Sequence, residues 1–280
     1  MSLKDCPIGF MQGRLSEMID NKIQSFPWEN WINEFEIAES NSLKIMEWTI
    51  DAENLYENPL MKEDGRAKIK YLKNKHDIFI PSLTGDCFMQ RPFWKSERSL
   101  KLKLEKDFVN VCNNASAIGI KYIVVPLVDN GSIINQIQEQ KLINFMRSIE
   151  QKLIKLNLKI VFEADLNPEN FLIFINKLDS KIFGINYDLG NSAALGFEPE
   201  KEINLLSNRI WNVHIKDRIF KGSTVELGKG DVDFKKVFKV LSKINYKGNF
   251  ILQTARAKEN EHTKAILAYK NFVINFIKNL

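Results

Sequence analysis

The residues best equipped for chemistry stand at or near the ends of short apolar runs. Glu47 is next to last in KIMEW, Glu163 closes KIVFE, Asp188 closes FGINYD, His214 sits late in IWNVHI and Gln253 closes NFILQ. Side chains alternate along a strand, so Glu163 shares a face with Val161, Asp188 with Asn186 and Gln253 with Ile251, while Phe162, Tyr187 and Leu252 take the opposite face. If the polar faces point inward, two carboxylates, an imidazole and an amide oxygen meet in one place. That mixed oxygen and nitrogen set suits one divalent ion, Mn²⁺, Zn²⁺, Co²⁺ or Mg²⁺, and lacks the thiolates of a structural zinc site. Lys216 follows His214 on the same face, where it is placed to bond a substrate oxygen and stabilise enolate charge. Asp217 would orient a neighbour or cap a turn. Arg14, after the first run, and Arg256, after the last, carry guanidinium forks that match a phosphate or carboxylate. Asp86, in LTGDCF, is expected to touch substrate or cap a turn.

The elements that must position these groups follow a regular alternation. β-branched and aromatic runs begin at Ile8, Lys44, Ile78, Tyr122, Lys159, Phe183, Ile210 and Asn249. Helical spacing predicts helices over 28–40, 63–75, 96–118, 137–156, 168–178, 198–207, 234–244 and 259–278 between and after them. Leu142, Phe145, Met146, Ile149 and Leu153 show the i, i+3, i+4, i+7 pattern plainly. Eight strand–helix units predict an α/β fold, a single (β/α)8 TIM barrel over residues 1–280, in which chemistry belongs at the carboxyl ends of the strands. A dinucleotide-binding doubly wound sheet is unsupported, because the turn after Met11 reads QGRL rather than GxGxxG.

Composition narrows the class. With 280 residues, 44% hydrophobic and 27% charged, the chain can bury a large core, and disorder or low complexity is excluded. A net charge of +5 with Lys dispersed suits an anionic small molecule better than a nucleic acid. No apolar run is long enough for a membrane span, and no signal peptide is evident, so a cytoplasmic protein is expected. Cys6, Cys87 and Cys112 are odd in number and far apart, which predicts buried free thiols. Trp28, Trp31, Phe35 and Trp48 are expected in the shell, Phe88 and Trp94 around the pocket, and His76 and His262 at the surface.

Taken together, MQGRL (11–15), FPWENWINEFEIA (26–38), MEWTID (46–51), FEADLNPE (162–169), NYDLGN (186–191), VHIKDR (213–218) and LGKGDVDF (227–234) resemble the sugar-phosphate isomerase/epimerase branch of the xylose-isomerase-like barrels. The resemblance covers nearly the whole chain. It implies a carbohydrate isomerase or epimerase whose metal ligands are Glu163, Asp188, His214 and Gln253. The last departs from the family's usual Glu. An amide oxygen can coordinate a cation but cannot serve as a general base, which counts against an epimerisation using both of the family's glutamates. Isomerisation between aldose and ketose needs one carboxylate to carry a proton between adjacent carbons of an enediolate. Glu163 is the first candidate, with Glu169 and Glu47 as alternates. Asn191, Asp86, Asp217, Arg14 and Arg256 complete the candidate substrate contacts.

Other functions sharing this fold are weighed on the same residues. An apurinic endonuclease with three zinc ions needs more histidine than the 3 present, with Asn191 at one of the relevant positions. A dehydratase of an inosose-like keto-cyclitol would use the same metal and base, and a non-catalytic sugar-binding barrel would explain Gln253. The expected partner is a small sugar or sugar phosphate, without nucleic acid or membrane. A homo-oligomer is compatible with the sequence but not specified by it.

Overall fold

The computed structural model describes residues 3–280. Eight strands, β1 (Ile8–Met11), β2 (Ile45–Thr49), β3 (Phe79–Thr84), β4 (Tyr122–Leu127), β5 (Lys159–Ala164), β6 (Phe183–Asp188), β7 (Ile210–Ile215) and β10 (Asn249–Leu252), close into a barrel in the order β1-β10-β7-β6-β5-β4-β3-β2. All pairings in it are parallel. The helices that cross between them are α1 (Asn33–Ser40), α2 (Glu63–His76), α4 (Arg98–Ala117), α5 (Gln136–Lys155), α6 (Pro168–Ile175), α8 (Pro199–Leu206), α9 (Phe234–Lys243) and α10 (His262–Lys278). The barrel expectation holds, strand by strand.

Two short helices and a hairpin were not foreseen. α3 (Asp86–Gln90) and α7 (Leu189–Leu195) follow strands directly, and β8 (Asp217–Arg218) pairs antiparallel with β9 (Thr224–Val225) above the mouth. The first helix begins later than its aromatic pattern predicted, because residues 28–32 form turns, with the amides of Asn30 and Trp31 bonded to the Pro27 carbonyl. Helix starts are set by local acceptors. Asn167 accepts from the Asn170 amide ahead of Pro168, and Asp233 accepts from the Lys236 amide.

The main core lies between barrel and helices. Phe162 meets Phe174 at 5.2 Å and Phe183 at 6.4 Å, as expected for a side chain facing the helix layer. Met11, Val124, Val161 and Ile251 are fully buried yet stand apart from that core, filling the barrel interior beneath the polar mouth. Trp48 and Phe35 are in the shell, and the three cysteines are free and buried, as expected.

Two expectations, covering four residues, need correction. Phe88 packs on Phe108 at 4.4 Å, and Trp94 is buried with its Nε1 donating to the Gly131 carbonyl at 3.0 Å, so neither walls the mouth. His76 and His262 are buried rather than exposed, each ring 2.7 Å from a carboxylate oxygen, of Glu39 and Glu17 respectively. Flanking charges misled here, because a carboxylate from another part of the chain satisfies each imidazole. No described helix is long and apolar enough to cross a membrane.

Candidate metal centre and active site

β5, β6 and β7 bring Glu163, Asp188 and His214 to one point at the carboxyl end of the barrel. One ligand atom from each lies within 4.8 Å of the others, and all three side chains are buried. The ring of His214 is fixed from behind. Its Nε2 lies 2.7 Å from Glu47 Oε1, which leaves Nδ1 facing Glu163 Oε2 at 3.2 Å and Asp188 Oδ2 at 3.9 Å. Glu47 itself accepts from Ser82 Oγ at 2.6 Å, Thr84 Oγ1 at 2.8 Å and Asn212 Nδ2 at 3.1 Å. It is therefore sealed beneath His214, which corrects its role as an alternate base: no proton of a substrate can reach it. An interior carboxylate at a strand end reads the same in sequence whether it faces the mouth or underlies it.

The donor set fits a divalent cation. Gln253 Oε1 is buried without a donor, and the buried Asp188 Oδ2 and His214 Nδ1 meet only charged neighbours, Lys216 and Glu163. Asp188 Oδ1 caps α7 by accepting from the Asn191 amide at 2.8 Å, so only Oδ2 is turned to the site, where the Lys216 ammonium lies 2.8 Å away. Buried polar atoms are ordinarily satisfied, and two carboxylates and an imidazole crowded this closely are what a cation would complete. Glu163 is braced by Asn186 Nδ2 at 2.7 Å and Asn191 Nδ2 at 2.6 Å.

Electrostatics divide the carboxyls. Burial alone would raise the Glu163 and Glu47 carboxyls, but the charge and hydrogen bonding of His214 outweigh it and hold both below the usual range. Burial likewise opposes the His214 imidazolium, yet Glu47 and Glu163 push it up to about 10. Asp86 goes the other way. Burial, then repulsion from Asp51 and Glu163, raises it well above the usual carboxylate range, and its Oδ2 has no partner. Shifts in opposite directions at neighbouring carboxyls are what acid and base roles require.

A cavity of about 330 Å³ opens over this cluster, lined among others by Arg14, Asp86, Glu163, Asn191, Lys216 and Gln253. Arg218, quoted in a motif but given no role, also lines it and donates to Asn191 Oδ1 at 2.8 Å. The remaining candidates lie elsewhere. Glu169 is exposed in the first turn of α6 and takes no part in the cavity wall, which removes it as an alternate base. Asp217 is fully buried and accepts from the amides of Gly228, Gly230 and Val232, at 2.8, 3.0 and 3.2 Å. It pins the LGKGDV loop instead of touching substrate, and a Cβ at Gly230 would come within 2.3 Å of its Oδ1. Arg256 is likewise structural, its Nη1 and Nη2 donating to the carbonyls of Gly13 and Ser16.

Glu34 was missed. It is fully buried on α1, and its carboxylate gathers the Gly13 amide at 2.9 Å, the Leu15 amide at 3.0 Å and Ser16 Oγ at 2.8 Å. Gly13 takes φ +87°, a left-handed turn that glycine adopts without strain, and the loop so folded presents Arg14. The available signal was an acid interrupting the aromatic face of FPWENWINEFEIA.

Known proteins agree with this architecture. The chain is 20% identical over 270 residues to a Haemophilus influenzae protein provisionally named as an L-ribulose-5-phosphate 3-epimerase, spanning 87% of this chain and 90% of that one. A xylose isomerase domain protein from Planctomyces limnophilus superposes with a TM-score of 0.77 at 13% identity, over 98% of both chains. D-psicose 3-epimerase from Clostridium cellulolyticum H10, solved with D-tagatose, superposes with a TM-score of 0.74 at 12% identity, over 97% of this chain and 99% of that one. The profile of the xylose isomerase-like TIM barrels matches residues 35–271, and the chain belongs to that family.

Proposed function

We propose that this protein is a metal-dependent isomerase or epimerase of a sugar or sugar phosphate, moving a proton on a carbon next to a carbonyl through an enediolate. The observation that carries the reading is the convergence of buried ligand atoms of Glu163, Asp188 and His214 within 4.8 Å of one another, with the unpaired Gln253 Oε1 on the cavity wall beside Glu163. Glu163, Asp188, His214 and Gln253 would hold the ion. When bound, it polarises the substrate carbonyl and acidifies the neighbouring C–H.

The chain's own residues supply the rest. Glu163, kept as a carboxylate, takes the proton at one of its oxygens. Lys216, anchored at Asp188, presents an ammonium to the oxygen on which enolate charge develops. Asp86 is the complementary partner, a carboxyl on the cavity wall whose burial, with repulsion from Asp51 and Glu163, favours its protonated form, placed to deliver a proton where Gln253 cannot. Glu163 alone suffices for transfer between adjacent carbons, while inversion at one carbon would need Asp86 to reach the face opposite Glu163.

Incubating Mn²⁺-loaded protein with sugars and sugar phosphates in D₂O tests this. Deuterium is expected at the carbon beside the carbonyl, and Glu163→Gln should abolish its incorporation. Stoichiometric metal without exchange on any of these compounds would favour a non-catalytic sugar-binding barrel, and loss of water from a keto-cyclitol would favour a dehydratase.

A further inference from the structure

Three cations line the cavity: Arg14, Lys216 and Arg218. Lys216 is occupied by Asp188 at 2.8 Å, and Arg218 donates to Asn191 Oδ1 and to the Gly222 carbonyl, each at 2.8 Å. Arg14 differs. Its Nε donates to the Thr254 carbonyl at 3.0 Å, but Nη1 and Nη2 are both buried without an acceptor, on a side chain only 3% exposed. No carboxylate closes onto it. The oxygens of Glu34 are already filled by Gly13, Leu15 and Ser16, and Asp86 Oδ2, on the same cavity wall, makes no hydrogen bond to it. Burial and the adjacent Arg256 lower Arg14 to about 9, which still leaves it a cation at neutral pH.

A buried charge without a partner is strongly unfavourable unless something supplies the missing acceptors. The two free ends of a guanidinium form a planar pair of donors that matches two oxygens of one anionic group. We infer that Arg14 anchors an oxyanion at one end of the substrate, a phosphate or a carboxylate, so that the cavity selects acidic sugars over neutral ones. This rests on the proposed reading of the cavity as a sugar site. Arg14 and Glu163 share its wall, so a single ligand spans the anion anchor and the proton-transfer group. The structural use of Arg256 supports the assignment, because its two ends hold the Gly13 and Ser16 carbonyls and so fix the loop on which Arg14 stands.

Calorimetric titration of the full-length protein with inorganic phosphate, D-gluconate and neutral D-ribulose tests the anchor. Arg14→Met is expected to weaken phosphate or gluconate by at least about tenfold and to leave D-ribulose unchanged. Arg14→Lys keeps the charge but loses the paired donors, so it should fall between, and it decides the matter if Arg14→Met does not fold. Preference for phosphate or for gluconate identifies which oxyanion is used. Equal affinity of both anions for wild type and Arg14→Lys, or no binding of either to wild type, overturns the anchor. The D₂O exchange on a neutral sugar separates the two readings. Anion binding without exchange removes the isomerase reading and leaves the anchor, whereas exchange without anion binding removes the anchor alone.

Discussion

On the β5 to β7 side of the mouth, the acceptor atoms of Glu163, Asp188 and His214 converge, whereas on the β1 and β10 side the guanidiniums of Arg14 and Arg256 stand together. Both sides bury several charges in a small volume. The acceptor side relieves its crowding with whatever cation is at hand, a proton on His214, the Lys216 ammonium, or a metal ion in their place. The donor side has no such freedom, since arginine keeps its proton at neutral pH. One of its two guanidiniums has both terminal nitrogens on backbone carbonyls, and the other faces the cavity with both terminal nitrogens free. On the proposed reading, the difference assigns the cation to one wall and the oxyanion to the other.

Destroying the acceptor side should have the largest effect. His214→Ala or Asp188→Ala is expected to remove the bound ion and to slow proton exchange by on the order of a thousandfold, the several kcal/mol that a polarising cation supplies. Elemental analysis of reloaded protein and the D₂O exchange rate read this directly, and chelation of the wild type should reproduce it reversibly. If His214→Ala still binds one ion per chain, the acceptor wall is not the metal centre.

The donor side is tested next, through the residue that holds it up. Glu34→Ala strips the loop of three buried hydrogen bonds and leaves Arg256 and Arg14 beside a void. A loss of about 3 kcal/mol in urea unfolding is expected, in the range for removing one member of a buried charged network. Metal stoichiometry should survive, because no ligand stands on that loop. Loss of metal in a folded Glu34→Ala protein would show that the two walls are one cooperative unit.

The two walls also differ in how far they were legible. Glu163, Asp188, His214 and Gln253 end runs whose period-two alternation assigns each an inward face, so strand pattern alone could bring them together. Glu34, Asp217 and Glu47 act by accepting hydrogen bonds from other parts of the chain, and nothing local marks an acid as the acceptor of amides such as those of Gly228 and Gly230. Arg14 and Arg256 looked equivalent for the same reason: what separates them is which carbonyls lie within reach. Glu169 failed for a simpler cause, since the turn at Asn167 and Pro168 starts a helix that carries it outward to solvent.

A pH effect is expected from behind the acceptor wall. Glu202 of α8 accepts from Tyr187 Oη at 3.1 Å and from Ser192 Oγ, beneath the helix that Asp188 caps. Burial raises it to about 7. A carboxyl whose folded pKa lies above its unfolded one stabilises the protein at low pH, and that contribution declines from about pH 4.5 to pH 7 as the unfolded chain ionises first. The wild type should therefore lose about 2–3 kcal/mol relative to Glu202→Gln across that window, visible as a growing gap between their melting temperatures. A gap independent of pH would show that Glu202 stays ionised in the folded protein.

The finest test asks whether the acceptor wall is tuned from below. Glu47 cannot reach substrate, yet it is the partner of His214 Nε2 and so selects the tautomer that leaves the Nδ1 lone pair on the site. Glu47→Gln keeps the size but can present its amide nitrogen to the ring, which would remove that preference. Metal affinity is expected to fall about 10- to 100-fold while the chain stays folded. The pH dependence of metal binding should shift as well, because in the wild type an incoming ion displaces a proton that Glu47 helps to hold on the imidazole. Unchanged affinity in Glu47→Gln would mean that Glu163 and Asp188 orient the ring by themselves, and the buried carboxylate would then serve only to satisfy Ser82, Thr84 and Asn212.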